Sequence, residues 1–243
     1  MKAMILAAGL GTRLHPFTLT KPKALVKVKG IPMLEIIIRR LIKFGITEII
    51  INVHHFPDLI KEFILSHNNF DISISFSDET SGLLETGGGL VKARDFFNDG
   101  KPFLVHNVDA LTDLNITDLF NFHIKNKPLA TLAVKDRITS RSLLINQDQI
   151  LCGWINNETG ETKIRRKEIN NLKPIAFSCV YILEPEIFSL ISETGKFSIM
   201  DTFLRLSSDY NILTWQHPEN FWWDMGRTEN LAKAEPYVDI VLS

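Results

Sequence analysis

Cysteine is scarce in this 243-residue chain: there are two, Cys152 and Cys179, and they form no C-x-x-C pair. That argues against a disulfide framework or a thiolate metal centre, and two reduced, largely buried thiols are expected. Long apolar runs are missing as well. None approaches the roughly 20 residues needed to span a bilayer, and Met1-Lys2 lead straight into an apolar strand rather than a signal-like segment, so a cytoplasmic protein with no membrane role is expected. An excess of one charge is also lacking, since the formal net charge is −1, which gives no bulk attraction for nucleic acid or an anionic surface. Internal repeats, low-complexity tracts and long linkers are absent from the sequence.

What is present is 45% hydrophobic and 23% charged residues, the balance of an ordinary globular protein, on a chain long enough for one large α/β domain. Its most informative stretch is residues 6–25, a polar loop behind the apolar run 3–6 that holds Gly9, Gly11, Arg13, Lys21, Lys23 and two prolines. Glycines let backbone amides approach a ligand closely, and successive amides with nearby cations make an anion-binding concavity. Two familiar phosphate loops are ruled out. A dinucleotide fingerprint would need a third glycine where Leu14 stands, and a P-loop would need Gly-Lys where the chain has Leu14-His15. Pro16 and Pro22 also bar a helix from starting directly after the glycines.

The rest of the chain reads as α/β. Leu34, Ile37, Ile38, Leu41 and Ile42 share one face at helical spacing, with Gly45 placed to end the helix. An apolar strand at 48–53 follows, completing a βαβ unit of a parallel sheet. Pro57 opens a second helix, and 72–76 alternates as a strand. The triple glycine 87–89 is expected to lead into a helix bearing Leu90, Ala93 and Phe97, with the glycines admitting the flat surface of a ligand. Residues 102–109 form an apolar strand ending in Asp109. Ligands of open α/β sheets sit beyond the carboxyl ends of the strands, so Asp109 is a candidate Mg²⁺ ligand; Asp113 reads as a loop and cap residue. Strands at 129–134, 143–145, 150–155 and 175–183 follow, then helices at 185–191, 199–206 and 228–237 and a strand at 211–216. Lys163, Arg165 and Arg166 read as a solvated strand face.

The pattern L-A-A-G-x-G-x-R-x-x-P-x-T of residues 6–18, followed by P-K-x-L at 22–25, resembles the signature of the sugar-1-phosphate nucleotidyltransferases. Trp222 to Gly226 resembles the W-x-D-x-G-T of that family, in which the aspartate, here Asp224, completes the metal site with Asp109. The resemblance covers nearly the whole chain. It implies a Rossmann-like mixed, mainly parallel sheet with helices on both faces, one domain over 1–243 with a nucleotide-binding half (1–128) and a sugar-phosphate-binding half (129–243). It implies a nucleotide site of Ala8, Gly9, Gly11, Thr12, Arg13, Lys23 and Gly88, with Arg13 and Lys23 catalytic, Ala8 and Gly88 reading the base edge, and Mg²⁺ as cofactor. Residues 177–181 match the F-S-G-I strand of the family except for Cys179 in place of glycine, which makes Ser178, with Arg141, a candidate for the sugar phosphate. Val108 likewise stands where the family has glycine before the metal aspartate. Through residues 84–89 and the compact length, the chain is similar to the members that transfer uridylyl from UTP to N-acetylmuramic acid 1-phosphate in peptidoglycan recycling; a mannose- or heptose-1-phosphate guanylyltransferase is the alternative. Partners are the triphosphate and the sugar 1-phosphate, on a monomer or homodimer.

Overall fold

Side-chain alternation decides the centre of the fold. Along the strand Lys2–Leu6, Ala3 and Ile5 enter one hydrophobic core while Met4 and Leu6 enter another. Phe103–Asn107 behaves the same way, with Leu104 in the first core and Phe103 and Val105 in the second. Such strands are apolar on both faces because both faces are covered, as a parallel sheet between helices requires. The structure is a computed structural model and describes residues 1–166, 171–218 and 221–243.

Among the described residues the central sheet has ten strands. Phe103–Asn107, Lys2–Leu6, Glu48–Val53 and Ser73–Asp78 run parallel and adjacent in that order. The long strand Lys173–Leu183 joins antiparallel to Phe103–Asn107 and carries Arg141–Ile145, Leu151–Asn156 and Thr162–Ile164 beyond it. Ala130–Lys135 pairs with that same long strand and, in parallel, with Ile212–Gln216. The expected mixed α/β sheet is therefore in place. Helices Met33–Lys43 and Thr228–Leu242 cover one face through Leu34, Ile37, Ala234 and Val238, and helices Glu85–Lys92 and Ile199–Leu206 cover the other through Leu90 and Phe203. No helix among the described residues is long and apolar enough to cross a membrane.

Several elements differ from the sequence reading. The helix expected over 185–191 is one turn, Ile187–Leu190, and the last helix extends to Leu242 with Pro236 inside it. The larger correction concerns the triple glycine. Gly87, Gly88 and Gly89 do not precede a helix; they lie within Glu85–Lys92 and are buried. A methyl group added to Gly87 would collide with the Phe197 ring, one on Gly88 with the Gly195 carbonyl oxygen, and one on Gly89 would lie 2.6 Å from Glu79 Oε1. The Gly87 amide donates to Phe197 O at 2.9 Å, and Ile199 N donates to Thr86 Oγ1 at 3.0 Å. Gly87 and Gly88 admit residues 195–199 and Gly89 admits the Glu79 carboxylate, and the helix penalty they carry is offset by the contact they permit.

A small-to-large change at such a contact costs about 1–3 kcal/mol. Gly88→Ala is expected to lower the unfolding free energy by that amount and the denaturant midpoint with it, whereas Gly82→Ala, with open space around it, leaves the midpoint nearly unmoved. Equal midpoints for the two variants would show that the helix does not depend on the close approach.

Candidate active site

The phosphate loop is built around Gly11, whose φ of 68° lies in the left-handed region and starts the single 3-10 turn Thr12–Leu14. A side chain there would meet Lys23 Cβ and Thr18 Cγ2 at 2.9 Å, so glycine is required both for the turn and for Lys23 to pass. Thr18 Oγ1 donates to Gly11 O at 2.8 Å and Leu14 is fully buried beneath. The loop thus presents Arg13 outward and brings Lys23 in beside it.

Asp109 lies just past the end of Phe103–Asn107, at the carboxyl edge of the parallel strands. Asp224 reaches the same point by a device the sequence did not reveal: Ala110–Thr112 pairs antiparallel with Trp222–Asp224, Asp224 opposite Ala110, and Met225 N donates to Asp109 O at 2.8 Å. Gly226 shows how tightly the groups converge. A Cβ on it would lie 2.5 Å from Asp109 Oδ2, 2.8 Å from Asp224 Oδ1 and 2.9 Å from Lys23 Nζ. Lys23 is paired with Asp109, while Asp224 Oδ2 accepts from Arg13 Nη1 at 3.0 Å and from Arg227 Nε at 3.2 Å. Two carboxylates so placed suit a hard divalent cation whose remaining ligands are phosphate oxygens and water. No cluster of three or more potential metal-ligating side chains occurs among the described residues. Val108, in place of glycine, is accommodated without a left-handed backbone: it is buried, and its amide donates to Leu6 O at 3.1 Å.

Two cavities meet across the Arg13–Asp224 pair. The smaller, about 360 Å³, is lined by Ala8, Gly9, Arg13, Lys23, Asn52, Thr86 and Asp109 among others. The larger, about 690 Å³, is lined by Arg137, Arg141, Arg227, Trp154, Trp222, Trp223 and Asp224 among others. Of the candidate nucleotide residues, the structure brings Ala8, Gly9, Arg13 and Lys23 to the smaller cavity. Gly11 and Thr12 shape the turn without lining it, and Gly88 is set back behind Leu83, Glu85 and Thr86, held by its packing against Gly195. Arg141 lines the larger cavity, with its guanidinium 5.8 Å from the Trp154 ring centroid. Ser178 does not reach it. Its hydroxyl is wholly buried, 3.0 Å from His217 Nε2, because residues on one strand alternate faces and Phe177 and Cys179 take the cavity side. Cys179 has a φ of 59°, in an irregular stretch of the strand, which accounts for glycine at this place in the family pattern. Burial, with Asp109 next, pushes its thiol up to about 12, and Cys152 is a buried thiol that donates to Ile150 O. Asp113 is a loop residue that accepts from Phe221 N, and the helix cap nearby is Asn115. Arg166, rather than lying solvated, donates to Ser207 O and Tyr210 O.

Two residues at the site escaped the sequence reading. Asn52 accepts from Ala7 N and Ala8 N at 2.6 and 3.3 Å through Oδ1 and donates to the buried Glu79 at 2.8 Å, while Glu79 accepts from Leu84 N at 3.0 Å. This pair ties the glycine loop to the 83–86 loop across the cavity. The second is Arg137, which a run of charges at a strand end disguises as a solvated residue.

Comparison with known proteins agrees with this geometry. The Nucleotidyl transferase family model matches residues 2–239. The chain is 32% identical over 240 residues to the N-acetylmuramate alpha-1-phosphate uridylyltransferase of Neisseria meningitidis serogroup B, covering 97% of each chain. It is 31% identical over 238 residues to the mannose-1-phosphate guanylyltransferase catalytic subunit beta of Dictyostelium discoideum, covering 96% of this chain and 63% of that one. Among solved structures, HddC from Yersinia pseudotuberculosis complexed with GMP-PN superposes with a TM-score of 0.78 at 24% identity, over 97% of this chain and 98% of that one, a likeness of fold.

The ion pair at the centre carries a pH signature. Burial alone would raise the Asp109 carboxyl, but Lys23 overrides it and holds the carboxyl below its ordinary value. A depressed carboxyl stabilises the fold above the ordinary carboxylate range and loses that contribution as pH falls through its folded value. Lys23→Met removes the largest influence that lowers the carboxyl and leaves burial opposed by the backbone hydrogen bond and Arg13 alone, so the variant's carboxyl lies above that of wild type and gains less stability as it ionises. The gap in denaturant midpoint between wild type and variant should therefore widen as pH rises from the acid range towards about pH 7; a gap independent of pH would refute the coupling.

Proposed function

The chain belongs to the nucleotidyl transferase family, and on that premise we propose that it transfers a uridylyl group from UTP to N-acetylmuramic acid 1-phosphate. As a member it is a sugar-1-phosphate nucleotidyltransferase; the nucleotide and the sugar are our reading. The observation that carries the reading is the junction of the two cavities at Arg13 and Asp224. On one side lie an amide-lined loop and Lys23, suited to a triphosphate; on the other lie arginines and tryptophans, suited to a phosphorylated sugar. The smaller cavity draws almost wholly on residues 1–128 and the larger on 129–243, which supports the division into a nucleotide half and an acceptor half. The choice of UTP and an N-acetylmuramyl acceptor is supported by the match over full length to the uridylyltransferase, whereas the chain spans 63% of the mannose-1-phosphate enzyme.

In this reading the acceptor's phosphate oxygen attacks the α-phosphorus of UTP, a new P–O bond forms, and the bond to the β-phosphate breaks to release pyrophosphate. The acceptor is already an anion, so no protein nucleophile is required; positioning and neutralisation of charge are. Arg13 would hold the departing pyrophosphate and Lys23 the α-phosphate, while the Ala8 and Gly9 backbone would lie against the chain of phosphates. Asp109 and Asp224 are the residues that would hold Mg²⁺, which when bound would screen the charge gathered on the phosphates. Lys23 holds the Asp109 carboxyl below its ordinary value, and Arg13 pairs with Asp224, until the substrates arrive.

Incubation with Mg²⁺, each nucleoside triphosphate and a panel of sugar 1-phosphates, followed by pyrophosphate release, tests the reading. Turnover is expected with UTP and N-acetylmuramic acid 1-phosphate, and Asp109→Asn and Asp224→Asn should each abolish it while leaving the fold intact by circular dichroism, the double variant costing little more activity than either single one. A preference for GTP with mannose 1-phosphate would overturn the choice of substrates. Arg141, on the outer wall over Trp154, is our candidate for the lactyl carboxylate of the acceptor. Arg141→Ala should erase discrimination against N-acetylglucosamine 1-phosphate while sparing UTP binding; equal losses on both acceptors would refute that role.

A further inference from the structure

We propose that Arg137 receives the phosphate group of the acceptor, an inference that rests on the reading of the larger cavity as the sugar 1-phosphate site. Arg137 follows the strand Ala130–Lys135 and is half-buried in the cavity wall. Its guanidinium carbon sits 3.7 Å from the Trp222 ring centroid, and Nη2 donates to Phe177 O at 2.8 Å. The indole and the carbonyl hold the guanidinium plane in one orientation. Nε is buried without a partner, and among the described residues no carboxylate forms an ion pair with Arg137. Asp224 lies two residues from Trp222, but its Oδ2 is already engaged by Arg13 and Arg227.

A cation withdrawn from water without a counter-ion is costly to maintain. Burial weighs against the charge here. A fixed fork with uncommitted donors facing a cavity is complementary to a phosphate monoester, which accepts two parallel hydrogen bonds from one guanidinium. Position separates this role from that of Arg141. Arg137 stacks on Trp222, on the same three-residue strand as Asp224, so Arg137 stands at the Asp224 end of the cavity, towards the two carboxylates. Arg141 stands over Trp154 with its head exposed. The phosphate must reach the α-phosphorus and meets the inner guanidinium; the sugar and its substituents extend towards the outer one.

The test is steady-state kinetics with UTP and, in turn, N-acetylmuramic acid 1-phosphate and N-acetylglucosamine 1-phosphate. Arg137→Ala should raise KM for both acceptors by about 30-fold or more, with KM for UTP within about twofold of wild type. Arg137→Lys, which keeps the charge but not the fork, should recover part of the loss, and it serves as the deciding variant if Arg137→Ala does not fold. Unchanged acceptor KM, an equal rise in KM for UTP, or a loss confined to the carboxylate-bearing acceptor would each overturn the assignment. Should the wild type turn over no sugar 1-phosphate with any triphosphate, the preceding reading fails instead. Calorimetric titration of the same two sugar phosphates into wild type and variant then decides for Arg137, equal affinities overturning it.

Discussion

The pairing of Lys23 with Asp109 is the constraint on which the site depends. Its partners are 86 positions apart in sequence, and the neighbouring Arg13–Asp224 pair spans 211. Asp109 and Asp224 both approach the point a Gly226 side chain would occupy. Two carboxylates that close repel one another unless cations stand beside them. Lys23 and Arg13 meet that need from the glycine loop, which is why the loop must turn at Gly11 and let Lys23 through. In our reading the same cations later serve the phosphates, so the charges that keep the site intact without ligand are the charges the reaction uses.

That arrangement demands a rigid frame, and the sheet provides it. The loop leaves Lys2–Leu6 and Asp109 leaves Phe103–Asn107, neighbours in the parallel part of the sheet. Both strands are buried on both faces, so a shift of either would drive apolar side chains out of two cores at once. On the far side of the nucleotide cavity the frame is made differently. Gly87 and Gly88 let Glu85–Lys92 settle against residues 195–199, Gly89 leaves room for Glu79, and Glu79 with Asn52 joins that helix to the glycine loop. The cavity walls are thus fixed by strand register on one side and by close backbone approach on the other.

What was legible in the sequence follows from this. Strands 48–53 and the helix from Pro57 could be read from periodicity and punctuation because local pattern decides them, and the phosphate loop could be read because glycine, proline and charge are each required there by backbone geometry. The pairing of Ala110–Thr112 with Trp222–Asp224 was not legible: each strand is three residues long, too short for any alternation to show. The glycines misled because glycine marks a turn, an approaching ligand and an approaching backbone alike. Ser178 was misassigned by one position, which on a strand means the opposite face. Arg137 gave no signal, since only the fold sets Trp222 against it.

The remaining question is why relatives of near-equal identity carry different nucleotides and sugars in their names. In our reading the residues gathered at Gly226 perform the transfer, a step that is the same whatever the base and the sugar. Discrimination has to come from walls that touch the parts of the substrates that differ. On the acceptor side those walls hold Arg137, Arg141 and Arg227 against Asp224, whose Oδ2 oxygen is already shared between Arg13 and Arg227. A chain of net charge −1 exerts no general pull on anions, so this surplus of positive charge is local to the cavity. One phosphate occupies one fork; a second guanidinium in the same cavity is best satisfied by a second acid on the same acceptor, and that charge balance is the physical ground for preferring an acidic sugar 1-phosphate to a neutral one.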